Sequence, residues 1–294
     1  AALRERLAGL AAPGDVDERL RLAGELAVLA DRAGDVASRV VAARETAMAA
    51  ATLGDEDGVV DAMAVMAALA GDDPGAAVAV AEWAAVLHVA RGAFPEAVAA
   101  AGALPAAGAG LPHRELLAWL WADAPPPPDG AGAAGVLGRL VAGDGDGARA
   151  RLRDVLEDTR DRPEDGTTLL TLGLAALAAR ALGDPEVVAE VQARLAPHAD
   201  LMCGDGYRTV AGAASFHLGR LAAAAGEWAE AERHLLTALR VHTAWRARPW
   251  VALTQLALAD VTEARGRPTD REWIAGLRTE AAWATTTLGL RPGA

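Results

Sequence analysis

Apolar residues fill long stretches of this chain, and the polar breaks between them come at recurring intervals. Alternation of β-branched or aromatic residues with polar ones, as a half-buried strand needs, is hard to find anywhere, and alanine is the commonest residue. Helix is therefore the only regular element expected. The breaks share a form: Gly34-Asp35, Gly54-Asp55, Gly71-Asp72, Gly92, Gly143-Asp144, Gly183-Asp184, Gly226-Glu227 and Gly266. Glycine accepts the left-handed conformation that ends a helix and aspartate caps the next one, so each break predicts a helix-to-helix turn. Gly183 to Gly226 spans 43 residues and Gly226 to Gly266 spans 40, while Gly34, Gly54 and Gly71 lie 20 and 17 apart. A period of that length, broken at its midpoint, predicts stacked helical hairpins.

The stretch from Ser215 to Leu239 sharpens this expectation. Leu218-Gly219, Ala222, Gly226, Trp228, Ala231, Leu235 and Ala238 resemble a tetratricopeptide repeat in their spacing, with small residues where two helices touch and large ones in the seam. Gly219 is expected at the closest approach of the pair, and Trp228 is expected to plug the hairpin. Leu169 to Ala199 and Trp250 to Gly289 are longer, looser versions, and Ala81 to Ala101, with Gly92 and Ala97, is a fainter copy. The predicted fold is all-α, a right-handed superhelix of antiparallel helical hairpins. It divides into N-terminal hairpins over 1–121, a Pro/Gly-rich loop or hinge over 122–135, and C-terminal tetratricopeptide-like repeats over 136–294. Within the loop, Pro125-Pro-Pro-Pro128 cannot continue a helix.

Taken together, the segment Gly226 to Leu235, Arg248-Pro249-Trp250, Leu256 to Ala259 and Arg265-Gly266-Arg267-Pro268 resemble the C-terminal repeat region of large bacterial LuxR-type and related signal-transduction ATPases. The resemblance covers about residues 165 to 290. It implies a cytoplasmic sensor or interaction arm of a transcriptional regulator, which binds a small-molecule ligand or a partner domain. ATPase and DNA-binding parts would lie elsewhere, and the opening Ala1-Ala2-Leu3-Arg4 reads as a segment cut from something longer. The shared motifs are structural, so no functional residue carries over. Two alternatives stand beside this reading: a free-standing scaffold that binds peptides in its groove, and a small-molecule enzyme with a Trp-lined cavity.

Composition narrows the chemistry. The formal charge is −12, from 40 acidic and 28 basic side chains, and every basic one is arginine. The lack of lysine removes a Walker-type phosphate loop, a Schiff-base enzyme and pyridoxal-phosphate chemistry. Cys203 is the only cysteine, which excludes an intrachain disulfide and thiolate clusters. No two of the six histidines stand three or four apart, so no metal pair on one helix face is expected, and no cofactor is. Gly143-Asp-Gly-Asp-Gly147 has the look of a calcium loop, but Ala148 and Val155 stand where oxygen ligands belong. Ser215 lacks a nucleophile elbow, and catalysis by this segment is not expected. The apolar run from Leu169 to Ala179 covers eleven residues, against the roughly 20 of a membrane-spanning helix. Neither membrane nor direct nucleic-acid contact is expected.

Charge and aromatics are unevenly spread. Residues 1–150 carry 11 arginines against 21 acids, whereas 208–294 carry 11 arginines against 8 acids and most of the eight tryptophans. Arg248 and Trp250 are candidates for a positive, aromatic recognition surface. Setting the turn glycines in tetratricopeptide register puts Glu82, Arg180, Phe216, Arg220, Asp260 and Glu263 on the concave wall. Such a wall suits a polar ligand or a peptide. The competing reading is a wetted surface with internal ion pairs, and tryptophans that fill gaps in an alanine-rich core.

Overall fold

The computed structural model describes residues 2–102, 114–124, 130, 132–205 and 209–291. It is all-α but for one short hairpin. Helices α1 (Ala2–Gly9), α2 (Val16–Ala33), α3 (Val36–Leu53), α4 (Glu56–Leu69), α5 (Pro74–Arg91), α6 (Phe94–Gly102) and α7 (Arg114–Leu120) precede α8 (Gly132–Val141) and α9 (Gly145–Arg160). Next come α10 (Thr168–Leu182), α11 (Pro185–Leu195), α12 (Ala214–Ala224), α13 (Trp228–Ala244), α14 (Arg248–Arg265) and α15 (Arg271–Leu288). Consecutive helices pack on one another from α2 to α6, from α7 to α9 and from α12 to α15. Pro125 to Pro128 lies outside the described residues, and α7 and α8 on either side of it are in direct contact.

The turns follow local backbone chemistry. Asp35, Asp55, Asp144 and Asp184 each cap the following helix by accepting from backbone N–H groups, as at Ser38 and Gly58. Gly143-Asp144 is therefore a helix turn. Gly71-Asp72 departs from expectation: α4 ends at Leu69 with Ala70 as its C-cap, and the cap of α5 is Asp73. The Leu69 carbonyl accepts both Asp72 N–H and Asp73 N–H, and Pro74, suited to the first helical position, fixes the start one residue later.

The expectation of helix alone needs one correction. Strands β1 (Met202–Gly204) and β2 (Val210–Ala213) pair antiparallel between α11 and α12, with Met202 opposite Ala213. The hairpin is buried among α3, α10, α12 and α13. It supplies bulk that alanine-rich helices lack, because close-packed interiors tolerate few voids. Gly212 is required there: its φ is 83°, and a Cβ would stand 2.8 Å from the Trp250 ring. The tryptophan expected to plug the seam also differs. Trp228 is 39% exposed at the first position of α13, whereas Leu235 fills the seam above Gly219.

The end of the chain returns to its first half. The α15 C-terminus packs Leu288 over Gly92, Ala122 N–H donates to Gly289 O at 2.9 Å, and Arg291 N–H donates to Leu120 O at 2.7 Å. Nearby, the buried Glu56 carboxylate accepts from Arg91 and Arg246, and Arg246 also reaches Asp57 at 3.0 Å. Arg246 is the only non-glycine residue with positive φ among those described, at 53°, a strained conformation held by these charged contacts.

Candidate functional site

A cavity of about 420 Å³ opens between α10, α12, α14, α15 and the segment at 290–291. Arg180, Arg220, Asp260 and Arg291 line it together with Leu253, Leu256, Ala257, Thr285, Thr286 and Leu290. Arg180 stands in the last turn of α10, where a cation suits the helix dipole. Arg220 follows Phe216 by four residues on one face of α12, and its guanidinium lies 5.3 Å from the Phe216 ring centroid. Arg291 is aimed by its backbone bond to Leu120 and by an Nε donation to Ala118 O at 2.8 Å.

Among the described residues, the charged side chains on the cavity walls are Arg180, Arg220, Arg291 and Asp260. Burial, joined by the neighbouring Arg180 and opposed by Asp260, pulls the Arg220 guanidinium down to about 9. Arg180 is also lowered by burial and supported by Asp260. Asp260 serves more than this pair, because its Oδ1 accepts from Arg278 Nη2 at 3.0 Å.

The candidate residues separate into three groups. Arg180, Arg220 and Asp260 meet at the cavity. Phe216 and Trp250 are fully buried beneath it, with ring centroids 5.5 Å apart, so neither presents an aromatic face to solvent. Glu263 turns to Arg278 at 2.7 Å, Glu82 faces Arg44 across α3 and α5 at 3.5 Å, and Arg248 is exposed at the start of α14, away from the cavity lining. Thr285, Thr286, Leu290 and Arg291 were not among the candidates, although Thr285-Thr286-Thr287 is a hydroxyl run at the end of α15.

Phe216 and Trp250 belong to a buried cluster with His217 and His242. His242 Nε2 accepts from Ala213 N–H at 2.8 Å, which puts its proton on Nδ1, where Thr254 Oγ1 accepts at 2.9 Å. Thr254 in turn donates to Trp250 O. His217 Nε2 donates to Ala211 O at 2.6 Å. Both imidazoles thus hold β2 in the neutral form. Ser215 and Cys203 are buried in the same core, and burial raises the thiol pKa far above its usual range, which leaves it inert as a nucleophile.

A second concavity, about 580 Å³, is a mainly apolar groove over α2, α3 and α4, with Val28, Ala43, Ala62 and Val65 on its walls and Asp31, Arg39 and Asp61 at its edges. Among the described residues no cluster of histidine, cysteine, aspartate and glutamate is arranged to hold a metal, and no helix is long and apolar enough to cross a membrane.

Fold and cavity define a class: an all-α protein of paired helices with an arginine-lined cavity among its C-terminal helices. A scan of family models, a search of curated proteins and a search of solved structures return no match to this chain.

Proposed function

We propose that the chain is a tetratricopeptide-like superhelical sensor arm of a bacterial regulator, which takes a small molecule into the cavity between α10 and α15. The observation that carries this reading is that the cavity and the return of the chain share residues. Leu290 and Arg291 line the cavity and Arg291 bonds Leu120 and Ala118 of α7, so an occupant that shifts this segment is felt in the first half of the molecule. Coupling of that kind needs one element whose position both sites bias, and the segment 288–291 is that element. The resemblance of residues 165 to 290 to LuxR-type sensor regions adds the ATPase and DNA-binding partners as the destination of the signal.

The groove over α2 to α4 favours a second reading, a scaffold that binds an apolar peptide. One experiment separates the two. Thermal-shift screening of bacterial metabolites and of a peptide library is followed by hydrogen exchange on the hits. The sensor reading expects small-molecule hits that protect the amides of Ala122 and Arg291. Peptide hits that protect α3 and α4 alone, or no small-molecule hit at the cavity, overturn it.

A further inference from the structure

We infer that the outer face of α15 is a self-association surface, on which a second copy of this chain lays its own α15 antiparallel to the first. This goes beyond the sensor reading and does not rest on it. Along that face Glu272, Gly276, Thr279, Trp283 and Thr286 recur at alternating steps of four and three residues, which puts them in one continuous seam. All five are exposed. Trp283, at 65%, is the most exposed large apolar side chain among the described residues. Gly276 stands two turns before it, with nothing within 4 Å of where a Cβ would be. Glycine is the poorest helix former short of proline, and a bare indole gains nothing from water. Neither residue has a packing role within one chain, and a helix seated on the seam gives both of them one.

The order of the five residues names that helix. Set against its own reverse, the seam is complementary at every level. Trp283 of each copy seats in the notch over Gly276 of the other, Thr279 meets Thr279 beside the two-fold axis, and Glu272 meets the Thr286 hydroxyl, a donor for its carboxylate. A parallel pair would instead set Trp283 on Trp283 and Glu272 on Glu272. The flanking charges are turned away, since Glu280 accepts from Gln255 at 2.6 Å and Arg278 donates to Asp260 and Glu263 of α14. The seam spans 14 residues, about 21 Å at 1.5 Å per residue. One helix of that length covers less than the roughly 1,200 Å² of a standard interface, so the dimer is weak and reversible.

The test is equilibrium sedimentation of the intact chain from about 5 to about 500 µM, where a weak pair shows a reversible monomer–dimer equilibrium. Trp283→Gln, at an exposed position, is expected to weaken the dimer at least about thirtyfold and leave the thermal midpoint unchanged. Gly276→Ala is expected to weaken it about tenfold by filling the notch, yet to raise the thermal midpoint of the monomer, because alanine is the better helix former. Trp273→Gln, at a 41% exposed position beside the seam, is expected to change the dimer less than about threefold. Mild oxidation should crosslink Thr279→Cys, which lies at the axis, and not Thr286→Cys. A chain that stays monomeric throughout, assembly beyond a dimer, a dimer indifferent to Trp283→Gln or Gly276→Ala, equal losses from the two tryptophans, or the opposite crosslinking pattern would each overturn the inference. None of these outcomes bears on the cavity, so the sensor reading stands or falls by its own screen.

Discussion

The layer of α2, α3 and α4 and the layer of α12, α13 and α14 share one plan, three successive helices with short turns, yet one presents an open groove and the other is packed solid. In the first, α3 buries mostly alanines, and Val28 and Val65 stay 52% and 44% exposed. In the second, Phe216, Trp245 and Trp250 have no exposed surface, and strand β2 packs against α12 and α13. Alanine lets adjacent helices approach closely but has no volume to fill the space between one helix and the next but one. Closing that space takes large side chains or an inserted strand. The arginine-lined cavity borders the packed layer, where rigid neighbours hold Arg220 in place.

The contact that joins the two layers is the first place to break this contrast. Glu56 opens α4, and Arg246 follows α13. Glu56→Ala removes a buried carboxylate from two guanidiniums. We expect a loss of about 3 kcal/mol in urea unfolding, the low end for breaking a buried ion pair, because the guanidiniums left behind reach water. Asp57→Ala, whose carboxylate is 78% exposed, should cost less than about 1 kcal/mol. Equal losses for the two variants would show that the layers are joined by apolar contact instead.

The packed layer should also carry a histidine-driven pH dependence, since α2 to α4 hold no histidine. His217 and His242 are held neutral in the fold, chiefly by burial, with pKa values lowered from 6.5 to about 4 and about 3. The unfolded chain binds their protons below pH 6.5 while the folded chain does not. Their contribution is therefore complete above that pH and is lost as pH falls from 6.5 to about 4 for His217 and to about 3 for His242. Two groups give a slope approaching about 2.7 kcal/mol per pH unit. The capping carboxylates Asp35, Asp144 and Asp184, lowered from 3.8 by hydrogen bonds, keep their contribution above that value and lose it as pH falls below, where of the two histidines only His242 still adds to the loss. Urea midpoints at pH 7 and pH 5 that coincide would refute the neutral-histidine arrangement around β2.

What the sequence made legible is what local chemistry decides. Gly34-Asp35, Gly54-Asp55 and Gly183-Asp184 specify their turns within a few residues, so their positions could be read directly; Asp73 escaped because Pro74 moved the helix start by one. The hairpin was hidden for the opposite reason. Met202-Cys203 and Val210-Ala211 are buried on both faces, so they show no alternation, and only Asp205-Gly206 between them hinted at a turn. The same hairpin explains Phe216. Helical register puts it on one face with Arg220, but it cannot reveal that β2 and Trp250 cover that face one turn earlier. Arg180, Arg220 and Asp260 could be named from register because each lies on a helix tied to a turn glycine. Arg291 follows the last helix, where periodicity has nothing to say.

Two mid-helix glycines give the finest form of the comparison. Gly219 in α12 has Leu235 Cγ 2.7 Å and Ala231 O 3.1 Å from where a Cβ would stand. Gly219→Ala should overpack that seam and cost about 1 to 3 kcal/mol, since the backbone oxygen cannot move aside as a side chain can. Gly24 in α2 is exposed and has nothing within 4 Å of the same point. There the helix propensity of alanine acts without opposition, and Gly24→Ala should stabilise the protein by about 0.5 to 1 kcal/mol by restricting the unfolded chain. Opposite signs from one substitution at equivalent places would follow from packing alone. A destabilising Gly24→Ala would mean that another surface already occupies the groove side of α2, and the contrast between an open layer and a closed one would fail.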